Sequence, residues 1–172
     1  ADFARLQKRY IARKRADALL REYRNGYEMA KERCSKIKIF KQRKSAAEEF
    51  VHEYENFYAL VAEANRKFVE REREECSDLL GNVDGRVLDE QQQTAVVSDE
   101  NYNLVIAGAG SGKTLTIAGK VKYLYERKGI DEDDILLITF TNKAVDEMNR
   151  RIKERLKINT SATTFHKLGL DI

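Results

Sequence analysis

Apolar residues recur at helical spacing through the middle of the first half of the chain. The spacing is four, three, four, three and four residues along Phe50, Tyr54, Phe57, Val61, Ala64 and Phe68. Such a stripe follows one face of a helix and predicts a helix seam or a coiled-coil-like hairpin over residues 45–80. Aromatic side chains also stack on nucleic-acid bases, but at helical spacing they favour a packed core.

The residues before this stripe also predict helix. From Asp2 to about Arg24, apolar residues alternate with good helix formers and neither Pro nor Gly occurs. The Asn25-Gly26 pair either breaks this helix or lies within it, because an interior Gly costs only ~1 kcal/mol. Residues 36–41 read Lys-Ile-Lys-Ile-Phe-Lys, whose period of two also fits a short strand.

The second half of the chain has the pattern of an α/β fold. Two short runs, 104–106 and 135–140, are apolar apart from Thr139, as buried parallel strands are. A helical pattern over 112–128 lies between them, so strand, helix and strand predict a βαβ unit. A third short strand is expected over 161–165. The turn cluster 81–85 is the expected boundary between an all-α region, 1–85, and an α/β domain, 86–172.

A glycine-rich turn follows the first apolar run and ends in Gly112-Lys113-Thr114. Glycines allow positive φ and bring backbone N–H groups close to an anion, and the helix that follows directs its amino end at the same point. Lys113 and Thr114 suit phosphate and Mg²⁺ respectively. Ala107 occupies the position where the strict P-loop pattern has Gly, and we interpret the turn as a variant of that pattern. The alternative is a strand-to-helix turn that binds no ligand.

Two further polar residues begin predicted helices. Asp89 and Gln92 have the spacing of a capping box, which by itself accounts for Gln92. Asn142 is a suitable N-cap and follows the second apolar run, at the edge of the sheet where α/β proteins bind ligands.

Composition restricts the class of protein. The two cysteines, Cys34 and Cys76, lie far apart without a metal-ligand pattern, which predicts a reduced, cytoplasmic setting. No apolar run approaches the length of a membrane span. The net charge of +3 conceals a basic segment, 1–44, with 15 Lys or Arg against 5 Asp or Glu, and an acidic segment, 45–90, with 5 against 13. The basic segment either binds phosphate backbones or packs on the acidic one.

Four ordered stretches resemble motifs of the superfamily 1A (UvrD/Rep-type) DNA helicases. They are 88–96 (Q motif), 107–114 (motif I), 139–148 (motif Ia) and 164–166 (motif Ib). The charged, helical N-terminal region is similar to that of the DNA helicase IV group. The resemblance implies a partial P-loop RecA-like parallel sheet, preceded by a helical hairpin, and an N-terminal fragment of an ATP-dependent helicase or translocase.

The resemblance also implies the ligands and the residues that contact them. ATP and Mg²⁺ would be held with Lys113 and Thr114 as catalytic residues and Thr114 on the metal. Single-stranded DNA would be the nucleic-acid partner. The implied nucleotide contacts are Gln92, Ala107, Gly108, Ala109, Gly110, Ser111, Gly112, Lys113 and Thr114. The implied DNA contacts are Phe140, Thr141, Asn142, Thr164 and His166.

Two other hypotheses remain open. The first is a helicase-like ATPase whose helical arm binds RNA polymerase or another replication or repair protein. The second is a P-loop module without a motor role. In the helicases that the chain resembles, the carboxylates and γ-phosphate sensors needed for hydrolysis would lie beyond Ile172, so we expect the chain alone to bind nucleotide but to hydrolyse almost none.

Overall fold

A computed structural model describes residues 9–36 and 41–171 of the chain. The strand proposed over 36–41 falls largely on residues 37–40, outside the described part. The described elements, in order, are α1 (Arg13–Lys36), α2 (Lys41–Glu55), α3 (Phe57–Glu75), α4 (Ser77–Gly81), α5 (Glu90–Val97), α6 (Lys113–Lys122), a π-helical turn (Tyr123–Arg127), a 3-10 turn (Glu132–Asp134), β1 (Leu137–Thr139), α7 (Asn142–Asn149), a second π-helical turn (Arg150–Arg155), β2 (Ala162–Thr164) and α8 (Phe165–Asp171).

The chain divides into two compact units. The first extends to Glu70 and includes Asp99–Asn103, and the second comprises Arg71–Ser98 and the residues from Leu104 onward. The division into regions 1–85 and 86–172 stays a prediction.

The first unit is helical, and its core confirms the interpretation of the aromatic stripe. Phe57, Val61 and Ala64 of α3 are buried against a cluster that includes Leu19 of α1. The first part of the helix predicted from Asp2 to about Arg24 falls on residues 2–8, outside the described part. Residues 9–12 are not helical, and helix α1 begins at Arg13 and continues through Asn25-Gly26 without a break. The intact helix agrees with the small cost of one interior Gly.

The second unit has its core beneath a parallel pair of strands. β1 and β2 pair in parallel register, with Leu137 opposite Ala162 and Thr139 opposite Thr164. The helical segment between them supplies Met148 and Ile152, which are buried together with Val121 of α6. β1, α7 and β2 therefore form a βαβ unit, and the third predicted strand is confirmed.

The first predicted strand is wrong. Residues 104–106 have no regular structure, and Leu104 and Ile106 are 87% and 89% exposed. Among the described residues no strand pairs with this run. An apolar sequence cannot form a stable strand without a neighbour to bond its N–H and C=O groups. The predicted βαβ unit with this run as its first strand is therefore not formed.

Helix α6 is held by polar contacts to the segments that precede it. The ammonium of Lys120 donates to the carbonyl oxygens of Val96 and Ser98, at 2.7 and 2.8 Å. That of Lys122 donates to Leu79 and Asn82, at 3.4 and 2.9 Å. Carbonyls at helix ends lack intrahelical partners, so these lysines act as C-caps for α5 and α4.

A buried carboxylate contacts the far end of the same helical segment. Glu72 is 5% exposed, and its Oε1 accepts from the Tyr123 hydroxyl at 2.9 Å and from Arg127 Nε at 3.0 Å. The hydrogen bond from Arg127 lowers the pKa of Glu72 against the opposing effect of burial. The neighbouring Cys76 thiol is buried, and burial raises its pKa.

Candidate functional site

The glycine-rich loop 107–112 ends in two residues with left-handed backbones. Gly110 has φ 75° and Gly112 has φ 81°, values that strongly favour glycine. A Cβ built on Gly110 would meet no heavy atom within 4 Å, so its conformation rather than lack of space requires glycine there. At Gly112 space is also limiting, since a Cβ would lie 2.7 Å from Gln92 Nε2.

Helix α6 begins directly at the end of this loop, with Gly112 as its N-cap. The first backbone bond of the helix joins Thr116 N–H to Gly112 O at 2.9 Å. The N–H groups of Lys113, Thr114 and Leu115 precede that bond, at the end of the helix that attracts anions. The predicted helix over 112–128 is confirmed in outline, because the π-helical turn continues α6 to Arg127 and Gly129 follows with φ 66°.

The Lys113 side chain folds back over the loop. Its Nζ donates to the carbonyl oxygens of Ala107 at 3.0 Å and Gly108 at 2.6 Å. The Ser111 hydroxyl also donates to Gly108 O, at 2.8 Å. The Lys113 ammonium therefore lies on the loop that the sequence predicts to bind phosphate. In this structure its hydrogen-bond partners are carbonyl oxygens of the loop itself.

Gln92 joins the start of α5 to this loop. Its Oε1 accepts from the Asp89 N–H at 3.0 Å and its own N–H donates to Asp89 Oδ1 at 2.9 Å, which confirms the capping box. Its Nε2 donates to Ser111 O at 3.0 Å. Both polar atoms of the amide are thus engaged with protein, and its contact with an adenine edge stays a prediction.

The end of β1 presents the second group of predicted residues. Phe140 is 99% exposed. The N-cap of α7 is Thr141, whose Oγ1 accepts from the Ala144 N–H at 3.2 Å, and Asn142 is the first residue of the helix. The predicted N-cap is therefore wrong by one residue. Threonine and asparagine are both good caps, so residue type alone does not separate them.

The end of β2 lies beside the end of β1. Thr164 is the last residue of β2, opposite Thr139, and its Oγ1 accepts from the Lys167 N–H at 3.2 Å. His166 is exposed in the first turn of α8. Because the strands are parallel and in register, the structure brings the segments after Thr139 and Thr164 to the same edge of the sheet.

One aromatic residue at this edge was not among the predicted contacts. Phe165 is 71% exposed and follows Thr164 as Phe140 follows Thr139. The repeated Thr-Phe dipeptide was the signal that would have identified it.

Among the described residues, no cluster of His, Cys, Asp and Glu has the arrangement of a metal site, and Cys34 and Cys76 are free thiols. Within the same residues, none of the helices combines the length and apolar character needed to cross a bilayer.

The second half of the chain is similar in sequence to a known protein family. Residues 88–172 match the model of the UvrD/REP helicase N-terminal domain. This part of the chain belongs to the UvrD/REP helicase family. The match begins one residue before Asp89, so it includes the Gln92 contact, the glycine-rich loop and both strand ends.

Several UvrD/REP-type relatives support this assignment. DNA helicase IV of Escherichia coli is 39% identical over 109 residues, which cover 63% of this chain and 16% of that protein. A probable DNA helicase II homolog of Mycoplasma capricolum is 48% identical over 86 residues, 46% of this chain and 12% of that protein. ATP-dependent DNA helicase Rep of Buchnera aphidicola is 42% identical over 90 residues, 50% of this chain and 13% of that protein. The chain thus spans a sixth or less of these relatives.

Proposed function

We propose that the chain forms the nucleotide-binding first part of an ATP-dependent DNA helicase or translocase, and that 86–172 is the start of its RecA-like domain. The observation that carries the proposal is the loop that ends in left-handed Gly110 and Gly112 and leads directly into α6, within a segment of UvrD/REP type. The relatives that match this chain are named as helicases, and Rep as an ATP-dependent one.

The loop fits the phosphates of ATP in three respects. Its glycines leave the outer face open, since a Cβ on Gly108 or Gly110 would meet nothing within 4 Å. The amino end of α6 favours negative charge. The Lys113 ammonium needs only to exchange carbonyl partners for phosphate oxygens. Thr114 would hold Mg²⁺, which neutralises phosphate charge when bound.

Titration of the 172-residue chain with MgATP, followed by calorimetry, tests this assignment. Lys113→Ala is expected to weaken binding at least 10-fold, because it removes the cation that compensates the phosphate charge. Lys143→Ala, in the first turn of α7, is the matched control and is expected to bind as the wild type does. Thr114→Ala is expected to remove most of the difference between binding with Mg²⁺ and binding in EDTA. Equal affinities of the Lys113 and Lys143 variants would refute a phosphate role for the loop.

The paired strand ends are proposed to contact single-stranded DNA. Phe140 and Phe165 offer exposed rings for stacking, and Thr141, Asn142, Thr164 and His166 offer polar groups to the backbone. Phe140→Ala is expected to weaken binding of an oligo-dT probe about 5-fold or more, since stacking is worth ~1–3 kcal/mol per base. Leu136→Ala, at an exposed apolar residue on the amino side of β1, is the control. Equal losses in both variants would mean that the strand ends are not the binding surface.

Hydrolysis is expected to be nearly absent from this chain alone. In UvrD-type helicases the metal-binding carboxylates and cationic sensors would follow residue 172, and each such group contributes orders of magnitude to rate. Asp146 and Glu147 do not replace them, because they lie within α7 and Glu147 is 3.5 Å from Arg151. Steady-state ATPase assays with and without oligo-dT check this expectation, and turnover at the rate of a complete helicase would contradict it.

A second candidate function concerns the helical unit. Helix α1 packs on α2 and carries several exposed basic residues, a form that also suits a protein cleft such as that of RNA polymerase. Co-purification with polymerase that survives nuclease treatment would favour this function.

A further inference from the structure

A cavity of about 360 Å³ opens on the first unit, between the start of α1 and the segment 99–103. Arg13, Lys14 and Arg21 line it on the side of the helix. Its volume lies within the range of small-molecule sites and is sufficient for one nucleotide.

The two carboxylates that line the cavity already have partners. Asp17 Oδ1 is 3.1 Å from Arg13 Nε and accepts from the Tyr58 hydroxyl at 2.6 Å. Glu100 Oε2 accepts from the Arg13 N–H at 2.9 Å. The Arg13 guanidinium also lies 4.0 Å from the centroid of the Tyr58 ring, so its position is fixed. Asp17 is therefore paired with a cation, whereas Glu100 accepts a hydrogen bond from a neutral N–H group and keeps its negative charge.

Two cations of the cavity remain available. Within residues 9–36 and 41–171, neither Lys14 nor Arg21 forms an ion pair or a hydrogen bond with another side chain. With Arg13, they give the lining three positive charges against the two of Asp17 and Glu100. A ligand with negative charge is therefore favoured over a cation.

The far wall supplies an aromatic ring and an amide. Tyr102 lines the cavity and is 93% exposed, so its ring faces are open, and Asn101 lies beside it. Single-stranded nucleic acid is recognised by this combination, in which a base stacks on an aromatic ring and cations follow the phosphates. A side-chain amide can in addition bond a base edge.

We propose that this cavity binds one unpaired nucleotide of a single-stranded nucleic acid, with the base on Tyr102 and the adjoining phosphates on Lys14 and Arg21. Its helical side, Arg13 to Arg21, lies far in sequence from the glycine-rich loop, whereas Tyr102 precedes that loop by five residues. The lining residues are distinct from those proposed to bind ATP, so the site does not depend on the proposed ATPase function. It gives the basic N-terminal segment a specific ligand in place of a general attraction for phosphate.

Photocrosslinking locates the site directly. The full 172-residue chain is irradiated with single-stranded oligonucleotides that contain one 5-iodouracil, as DNA and as RNA, and the adducts are mapped by mass spectrometry. An adduct on Tyr102 is expected with at least one of the two probes, and the comparison of yields distinguishes DNA from RNA. Adducts confined to Phe140 and Phe165 would overturn the proposal.

Affinity measurements on variants test the contributions separately. Tyr102→Ala is expected to weaken oligo-dT binding about 5-fold or more, and Tyr23→Ala, which removes a half-exposed ring of α1 outside the cavity, is expected to leave it unchanged. The double variant Lys14→Gln/Arg21→Gln is expected to make the negative slope of the log binding constant against log salt concentration shallower by about 1.4. This is the change expected for the loss of two phosphate contacts on a single strand. Arg24→Gln/Arg33→Gln makes the same charge change on the same helix outside the cavity.

Three outcomes would contradict the proposal. Equal slopes for the two double variants would mean that charge acts without a defined site. Equal competition by a DNA duplex would exclude an unpaired base on Tyr102. Equal competition by polyglutamate would identify an acidic protein segment as the partner instead. All variants are compared by circular dichroism and urea denaturation, and a loss of binding counts only where the fold is retained.

Discussion

The segments 104–106 and 137–139 each lie a few residues before a helix, α6 and α7 respectively, but they differ in structure. Each is mainly apolar and leads through a short polar or glycine-containing segment into its helix. β1 has β2 beside it in parallel register, whereas 104–106 has no strand partner among the described residues. The helix after each segment is nevertheless well formed. Helix placement in this unit therefore depends on side-chain contacts and caps more than on the strand that precedes the helix.

The strongest test of this difference compares two isoleucines. Ile152 is fully buried beneath β1 and β2, and Ile106 is 89% exposed. Ile152→Ala is expected to lower the free energy of unfolding by ~2–5 kcal/mol, and Ile106→Ala by less than about 0.5 kcal/mol. Urea denaturation measures both. A loss above about 1 kcal/mol at Ile106 would mean that the 104–106 run is packed in solution.

The second test concerns the contact between Glu72 and the π-helical turn that continues α6. Glu72→Gln is expected to cost ~1.5–3 kcal/mol at pH 7, because the buried acceptor loses the charge that pairs with Arg127. The pKa of Glu72 is lowered in the folded state, so its contribution is present above the unfolded value of 4.5 and is lost as pH falls through the folded value.

The pH dependence separates this contribution from simple loss of packing. The wild type is expected to lose more stability than Glu72→Gln between pH 6 and pH 3, so that the two unfolding free energies converge in acid. Glu74→Gln, an exposed neighbour, controls for general charge effects. A constant difference between wild type and Glu72→Gln over this range would show that the carboxylate charge is not the source of the stabilisation.

The third test concerns the close approach of α6 to the segments that precede it. A Cβ on Gly119 would lie 2.8 Å from Leu88 Cδ1 and 3.4 Å from Val96 Cγ2. Gly119→Ala is therefore expected to destabilise the chain by ~1–3 kcal/mol through overpacking. Gly81→Ala is the control, since nothing lies within 4 Å of its Cβ position. Thermal unfolding of both variants decides whether packing rather than helix propensity governs Gly119, because propensity alone would make both changes stabilising.

The smallest expected effect distinguishes the two candidate caps of α7. Thr141→Ala is expected to cost ~1 kcal/mol, because it removes the acceptor for the Ala144 N–H. Asn142→Ala is expected to change stability by less than about 0.5 kcal/mol. Chemical denaturation again provides the measurement, and a reversed order would restore Asn142 as the N-cap.

The sequence predicted those features that depend on neighbouring residues. The aromatic stripe identified the core face of α3, and Asp89 with Gln92 identified the capping box. Features that depend on residues distant in sequence could not be predicted from the sequence. The apolar run 104–106 has the composition of a strand, but pairing is decided elsewhere in the fold. No pattern in the sequence indicated that Gln92 would contact Ser111 or that Gly119 would face Leu88.

The lysine caps on α6 determine which part of the candidate site is free to move. Lys120 and Lys122 together donate four hydrogen bonds to the segments at the ends of α5 and α4. Rotation or translation of α6 would break several of these hydrogen bonds at once, so together they hold the helix in position. We therefore expect a ligand bound at the glycine-rich loop to displace the exposed run 104–106 and the loop before Gly112 more than it displaces α6.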